Sequence, residues 1–331
     1  ILYSQQERLT QLAVKELNKQ LAGELVIEKS SISPFTNFPY ISIALHDVRF
    51  FGDKKMTGQP LYQLERLYVG FSLPDILQQH YKARIIALAN GRVHVARYAN
   101  GDVDLIKAHE FTDSGSPAPA DTSEALNLDL KRIILRNIDV TYQDNASGLK
   151  VAAHIDRIKT AFTMDSARIA LNIDSKLLVD ITGKTDTTLF RHKHLNFNLA
   201  AVYDKQRQQL TLPPGAIHLE EASLQLEGTL SRHFADLKIK GDKPDLNLLL
   251  AMVPQNVAAM LDKYKHDGRV YFDGIIKGPM GKGVMPLMTF NFGCENVWFQ
   301  NKQIDRKVDR LGFKGFYTNG AAHNLKTSEL H

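Results

Sequence analysis

From Gly23 onward the chain alternates apolar and polar residues with a period of two, and it does so for most of its length. Ile41, Ile43 and Leu45 alternate with Ser42, Ala44 and His46, and Leu67, Val69, Phe71 and Leu73 alternate with Arg66, Tyr68, Gly70 and Ser72. Ile86/Leu88, Val93/Val95, Leu126/Leu128/Leu130, Val140/Tyr142 and Val151/Ala153/Ile155 continue the pattern. Ile169/Leu171/Ile173, Leu177/Val179/Ile181, Leu195/Phe197/Leu199, Leu224/Leu226, Val270/Phe272 and Phe290/Phe292 extend it. Successive side chains of a strand point to opposite faces, so each of these segments has one apolar and one polar side. The pattern predicts a mainly β protein, with a dozen or more antiparallel strands in a long, twisted sheet curved into a hydrophobic groove. Asn90-Gly91 and Asn100-Gly101 are hairpin signals, because both residue types accept the left-handed backbone of a tight turn.

Helices are the exception. Between Ser4 and Ala22, Leu9, Leu12, Ala13, Leu17 and Leu21 recur at steps of three and four, which predicts an amphipathic helix closing one end of the sheet. Gly23 stands where a C-cap glycine belongs. Pro74 to Gln79 reads as a turn of helix, and Asp245 to Lys265 as a helix broken at Pro254. Residues 112–124, rich in Ser, Pro, Ala and Gly, read as a flexible loop. These signals divide the chain into 1–110, the helix with a first β-groove unit; 111–125, a loop; and 126–331, a continuing β-groove. The natural chain is expected to begin upstream of Ile1 and to run past His331. Two echoes stand out: Leu64-Glu65-Arg66-Leu67 resembles Ile155-Asp156-Arg157-Ile158, and Leu88-Ala89-Asn90 resembles Leu135-Arg136-Asn137. Stacked hairpin repeats would account for such echoes.

Signals of chemistry are weak. The formal charge of +5 is scattered along the chain, as on an ordinary solvated surface, and no nucleic-acid partner is expected. Cys294 is the single cysteine, so no intramolecular disulfide forms. Thr182-Gly183-Lys184-Thr185 ends like a phosphate-binding loop, but Leu178 occupies the position of its first glycine. His192 and His194 flank Lys193 in a strand and could share a metal, although no further ligand lies nearby in sequence. No nucleophile motif and no distinguished carboxylate pair appears. The expectation is therefore a protein that is not an enzyme and has no cofactor. What remains is the apolar face, which has to be covered by helices, by a second sheet or by a ligand. The predicted helices are too few to cover it. An apolar surface lined by Ile41, Ile43, Leu45, Val69, Phe71, Ile86, Leu88, Val93, Leu128 and Leu130 is expected to bind something greasy.

Several stretches resemble AsmA-like proteins just after their inner-membrane anchor. They are Gln5 to Ile27, Asn37-Phe38-Pro39-Tyr40 with Ile41 to Leu45, Phe71 to Leu77, and Ala99 to Leu105. Gly268-Arg269-Val270-Tyr271-Phe272-Asp273-Gly274, with Lys277-Gly278, is in keeping with them. The resemblance implies a periplasmic protein anchored in the inner membrane by a segment absent from this sequence, and similar in design to chorein-type bridge proteins. It implies phospholipid as partner, transport of phospholipid towards the outer membrane, and a part in outer-membrane integrity, with other envelope proteins as further partners. A scaffolding role in outer-membrane assembly, with the sheet packed on itself, is the alternative.

Overall fold

The computed structural model describes residues 10–11, 14–15, 17–19, 21–78, 82–110, 127–183, 188–241, 263–280, 284–304, 306–320, 327 and 329–331. The chain divides into two compact units, 1–161 with 183–185 and 162–182 with 186–331. The first contains β1 (Glu24–Val26), β2 (Lys29–Asn37), β3 (Tyr40–Phe51), β4 (Tyr62–Ser72), β5 (Lys82–Arg97), β6 (Asn127–Asp144) and β7 (Lys150–Met164), the last as far as Ala161. Two five-residue helices, α1 (Leu73–Leu77) and α2 (Asp104–Ala108), punctuate these strands. The second contains β8 (Arg168–Thr182), β9 (Thr188–Asp204), β10 (Gln209–Leu219), β11 (Ala222–Ser231) and β12 (Phe234–Gly241). It continues with β13 (Tyr264–Pro279), β14 (Leu287–Asn301), β15 (Lys307–Thr318) and β16 (Glu329–Leu330). Each unit is an open run of strands, and neither closes into a barrel.

The mainly β fold is as the alternation predicts, with one topological difference. In the first unit the order is β1-β3-β4-β5-β6-β7, with β2 also on β3, and β5 pairs with β6 in parallel. Parallel neighbours need a long crossover, and residues 98–126 supply it. The Asn100-Gly101 turn opens that crossover: Gly101 has a φ of 92°, and Arg97 and Val103 bridge across it. Asn90-Gly91, by contrast, makes no hairpin; it lies in the middle of β5, a single strand of 16 residues. Leu128/Leu130 and Val140/Tyr142, separate in the sequence pattern, fall in the single strand β6, and Leu126 lies outside the described residues.

Other local expectations resolve as follows. The described residues from Thr10 to Lys19 are helical, and the chain has left the helix by Leu21. Gly23 is not a left-handed cap. It is needed for space, since a Cβ there would sit 2.5 Å from the Phe50 ring and from the Phe51 carbonyl. The turn of helix after Pro74 forms as α1. Tyr264 and Lys265 belong to β13 and Lys263 to the turn before it; residues 245–262 of the proposed helix, like the 112–124 loop and Lys184 with Thr185, lie outside the described residues.

A row of interrupted pairings crosses β3 to β7. Pairing skips Asp47, Glu65, Asn90, Asn137 and Asp156 and resumes in the same register beyond them. Asp47, Asn90 and Asn137 hold left-handed φ values of 51°, 54° and 52°, which Asn and Asp tolerate better than other side chains. Their side chains form a ladder: Asn137 Nδ2 donates to Asn90 Oδ1 at 2.9 Å, and Asn90 Nδ2 to Glu65 Oε2 at 2.6 Å. Arg66 donates to the same carboxylate at 3.0 Å. A left-handed residue turns the chain out of the pleat, so apolar parity need not carry across it. In every strand of this row it does not: β3 changes from Ile41/Ile43/Leu45 to Val48/Phe50, and β4 from Tyr62/Leu64 to Leu67/Val69/Phe71.

The same row explains the sequence echoes. They match β4 with β7 and β5 with β6, whereas duplication of a β4–β5 hairpin would match β4 with β6 and β5 with β7. Shared geometry at one row, rather than a repeated hairpin, produces the likeness.

The second unit has its own core of Leu219, Ala222, Leu224, Val270, Cys294 and Val297, flanked by Phe190, Phe272 and Phe299. Pairing shifts there at Asn296 and Arg310, both left-handed, and β14 changes apolar parity from Phe290/Phe292/Cys294 to Val297/Phe299.

Candidate functional site

Strand register in the first unit assembles two apolar rows on one face. Ile32, Ile43, Val69, Ile86 and Ile133 stand directly opposite one another across β2 to β6, and Leu45, Leu67, Leu88, Leu135 and Ile158 do so across β3 to β7. Ile41 and Phe71 pair beside them. Of these residues only Leu45 is buried; the others retain intermediate exposure. The opposite face of the same strands is tight: Ser42, Ala44, Tyr68, Ala83, Ile85, Ala87 and Ile134 are all buried, and small residues dominate. The N-terminal helical residues reach the margin of the rows, where Ser30, opposite Leu45, bonds to Thr10 at 3.0 Å.

Beyond the ladder the apolar surface is filled. Val48, Leu64 and Ile138 form one row and Phe50, Tyr62 and Val93 another. Val48 and Phe50 have no solvent exposure, and Leu64 and Ile138 have 1% each. The Phe50 ring stacks on Tyr62 with centroids 5.0 Å apart, and lies tilted against His109, which follows α2, at 4.2 Å. Burial here raises the pKa of the Tyr62 phenol well above its usual range.

Of the residues singled out from sequence, Ile41, Ile43, Leu45, Val69, Phe71, Ile86 and Leu88 come together on the open side. Val93 lies across the ladder in the Phe50 row. Leu128 is opposite Ala83 at the start of β6, its side chain outside the description, and Leu130 is partly buried in the same stretch. Ile133, Leu135 and Ile158 were missed. The run Lys131-Arg132-Ile133-Ile134-Leu135-Arg136 has no clean alternation, because Ile134 packs on the opposite face against the Ala44 and Ala87 cluster. A strand apolar on both sides loses its period of two.

The described residues hold no group of His, Cys, Asp or Glu able to bind a metal ion. His192 and His194 turn to separate carboxylates, Asp180 at 3.1 Å and Glu220 at 3.4 Å. Among the described residues, no helix is long and apolar enough to cross a membrane. No family model matches the chain, and no curated protein matches it either.

Proposed function

We propose that the open rows of the first unit bind the acyl chains of phospholipid, and that the protein serves phospholipid transfer in the bacterial envelope. The observation that carries this reading is the paired Ile–Val–Ile and Leu–Leu–Leu rows, in register across neighbouring strands and still partly exposed. Each row crosses five strands spaced about 4.8 Å apart and is therefore about 19 Å long, the scale of an extended acyl chain. Their lining is uniformly aliphatic apart from Phe71, so a chain can occupy any position along it at similar energy. Each methylene leaving water gains about 0.8 kcal/mol, but one leaving a bilayer gains almost nothing, which suits transfer better than tight storage. The resemblance to AsmA-like proteins supports a periplasmic setting for this activity, beside an inner-membrane anchor.

The test is site-specific photo-crosslinking in cells, with the probe at Val69, Leu88 or Ile133 and, on the opposite face, at Ser42 or Arg66. Phospholipid captured only from the first set is expected. Equal capture from both faces, or capture of protein alone from the open rows, would overturn the reading, and the second result would favour a scaffold.

A further inference from the structure

In the second unit the fold gathers charge that the sequence leaves scattered. At one end of β13, β14 and β15, the Lys302 N–H donates to the Lys263 carbonyl at 3.0 Å. Lys265 is opposite Gln300 there, and Gln300 is opposite Lys307. Lys263, Lys265, Lys302, Arg306, Lys307 and Arg310 are all exposed, against Asp267, Asp305 and Asp309 in the same segments of the sequence. Bulky apolar side chains stand among these cations. Ile304, in the turn between β14 and β15, is 55% exposed, and Val308, Leu311 and Phe313 on β15 are 56%, 38% and 46% exposed. Single apolar residues on a surface are ordinary, but a run of them marks a contact surface. The turn that presents Ile304 is well tied. The Asn301 side-chain oxygen accepts from the Gln303 and Ile304 N–H groups at 2.8 and 3.2 Å, and the Asn301 N–H donates to the Arg306 carbonyl at 3.0 Å. Among the described residues, β15 has β14 along one side and, on the other, β16 only at Tyr317 and Thr318. Trp298, the single tryptophan, lies on β14 in this region, with Lys307 Nζ 4.6 Å from its ring centroid.

We infer that this end of the second unit docks on the surface of an anionic lipid bilayer, with Ile304 and Val308 entering the headgroup boundary and the surrounding cations meeting lipid phosphates. A surface that lies on a membrane needs both parts. Exposed apolar side chains supply the insertion, and each nearby Lys or Arg adds attraction to anionic lipid. Tryptophan is at home at the same depth, with an apolar ring and a polar N–H. Charge and apolar exposure together choose among occupants. An isologous second copy would bring like cations against these, which repel. A polyanion without acyl chains would leave Ile304 and Val308 in water. The surface belongs to the second unit alone and does not rest on the reading of the open rows.

The experiment reads the fluorescence of Trp298 in the full chain. The probes are vesicles of phosphatidylglycerol mixed with phosphatidylcholine, and vesicles of phosphatidylcholine alone, each with brominated acyl chains that quench a tryptophan at the membrane boundary. Strong quenching by the anionic vesicles is expected, several-fold weaker with phosphatidylcholine alone and falling as salt is raised. Ile304→Asn should lower the quenching several-fold. Lys265→Gln combined with Arg306→Gln should do the same and flatten the salt dependence. All three residues are exposed, so the variants should keep the β-rich circular-dichroism spectrum. Leu88→Lys, in the open rows of the first unit, should leave the quenching unchanged, which separates this surface from the acyl rows. Vesicles that carry the chain down in sedimentation without quenching Trp298 would place the membrane contact elsewhere and overturn the inference. Equal quenching by both kinds of vesicle, with no response to the loss of Lys265 and Arg306, would also overturn it. So would an emission shift that follows protein concentration without vesicles, together with a dimer in analytical ultracentrifugation, since the face would then join two copies.

Discussion

Ile43 and Phe50 lie on the same strand, β3, on opposite sides of the Asp47 interruption. Phe50 has no solvent exposure and clusters with the Tyr62 and His109 rings, while Ile43 keeps part of its surface and is paired with its row neighbours Ile32 and Val69 across the strands. Composition does not separate the two halves, since both are lined by Ile, Leu, Val and aromatic residues. What separates them is where the chain returns. The crossover from β5 to β6 brings α2 and His109 back over the Phe50 side, and Gly23 backs against the Phe50 ring and the Ala108 carbonyl. One half is thereby core, and the other is left as a surface. An apolar residue on a strand can serve stability or binding, and its covering decides which.

The sharpest way to break this comparison is to truncate one residue on each side. Phe50→Ala should cost about 3–5 kcal/mol of folding stability, because it opens a cavity in a filled region. Val69→Ala should cost much less, as its methyls are already partly exposed. Urea unfolding of both variants measures the difference, and equal losses would mean that both halves are closed core.

Charge should have the reverse effect. Leu88→Lys should abolish lipid occupancy, since an acyl chain beside an unpaired charge loses several kcal/mol. Its circular-dichroism spectrum and unfolding midpoint should stay near those of the wild type. Unfolding of this variant would place Leu88 with Leu64 in the core.

The boundary itself is expected to show a smaller effect. Replacing Asn90 or Asn137 by Val forces a β-branched residue into a left-handed conformation, at a cost of about 1–2 kcal/mol. Replacement by Gly, which is free to adopt it, should be nearly neutral apart from the lost amide hydrogen bonds. If Val and Gly variants prove equally stable in denaturant titrations, the left-handed row does not constrain the strands.

The smallest effect concerns pH and the turns between strands. Asp144, Asp165 and Asp204 sit at strand ends and accept backbone N–H groups of the following turn, from Ala146, Arg168 and Arg207 first among others. These bonds hold each carboxyl below its ordinary pKa. A group with a depressed folded-state pKa contributes stability that is complete above its unfolded value, about 3.9, and is lost as pH falls through the folded value. The thermal midpoint should therefore decline only below about pH 4, and Asp165→Asn should soften that decline without moving the neutral-pH midpoint much.

Much of the fold was legible in the sequence, and for a simple reason. A strand half-exposed on one side must alternate, so Ile41/Ile43/Leu45 and Leu67/Val69/Phe71 announced both their conformation and their shared face. The seven open-row residues on β3, β4 and β5 followed from that alone. Where both faces are apolar, as at Ile133-Ile134-Leu135, the period vanished and the third wall of the site was lost with it. Asn90-Gly91 misled because a left-handed Asn suits a hairpin and a strand interruption equally well. The local chemistry is the same, and only the pairing partners on both sides tell the two apart.

The sequence by itself determined that this is a β protein with apolar-faced strands, because alternation is a property of each strand alone. Only the tertiary structure decided the parallel pairing of β5 and β6, the unshifted row through Asp47, Asn90 and Asn137, and the register shifts of β5 against β4 and β6 between Ala83 and Ile85. Those depend on which strands lie side by side and at what register. Residues far apart in the chain, such as Ile86 and Ile133, become neighbours in one row only through pairings that no local pattern encodes. For the same reason, the covering of Phe50 and the exposure of Ile43 belong to the packing of the whole unit.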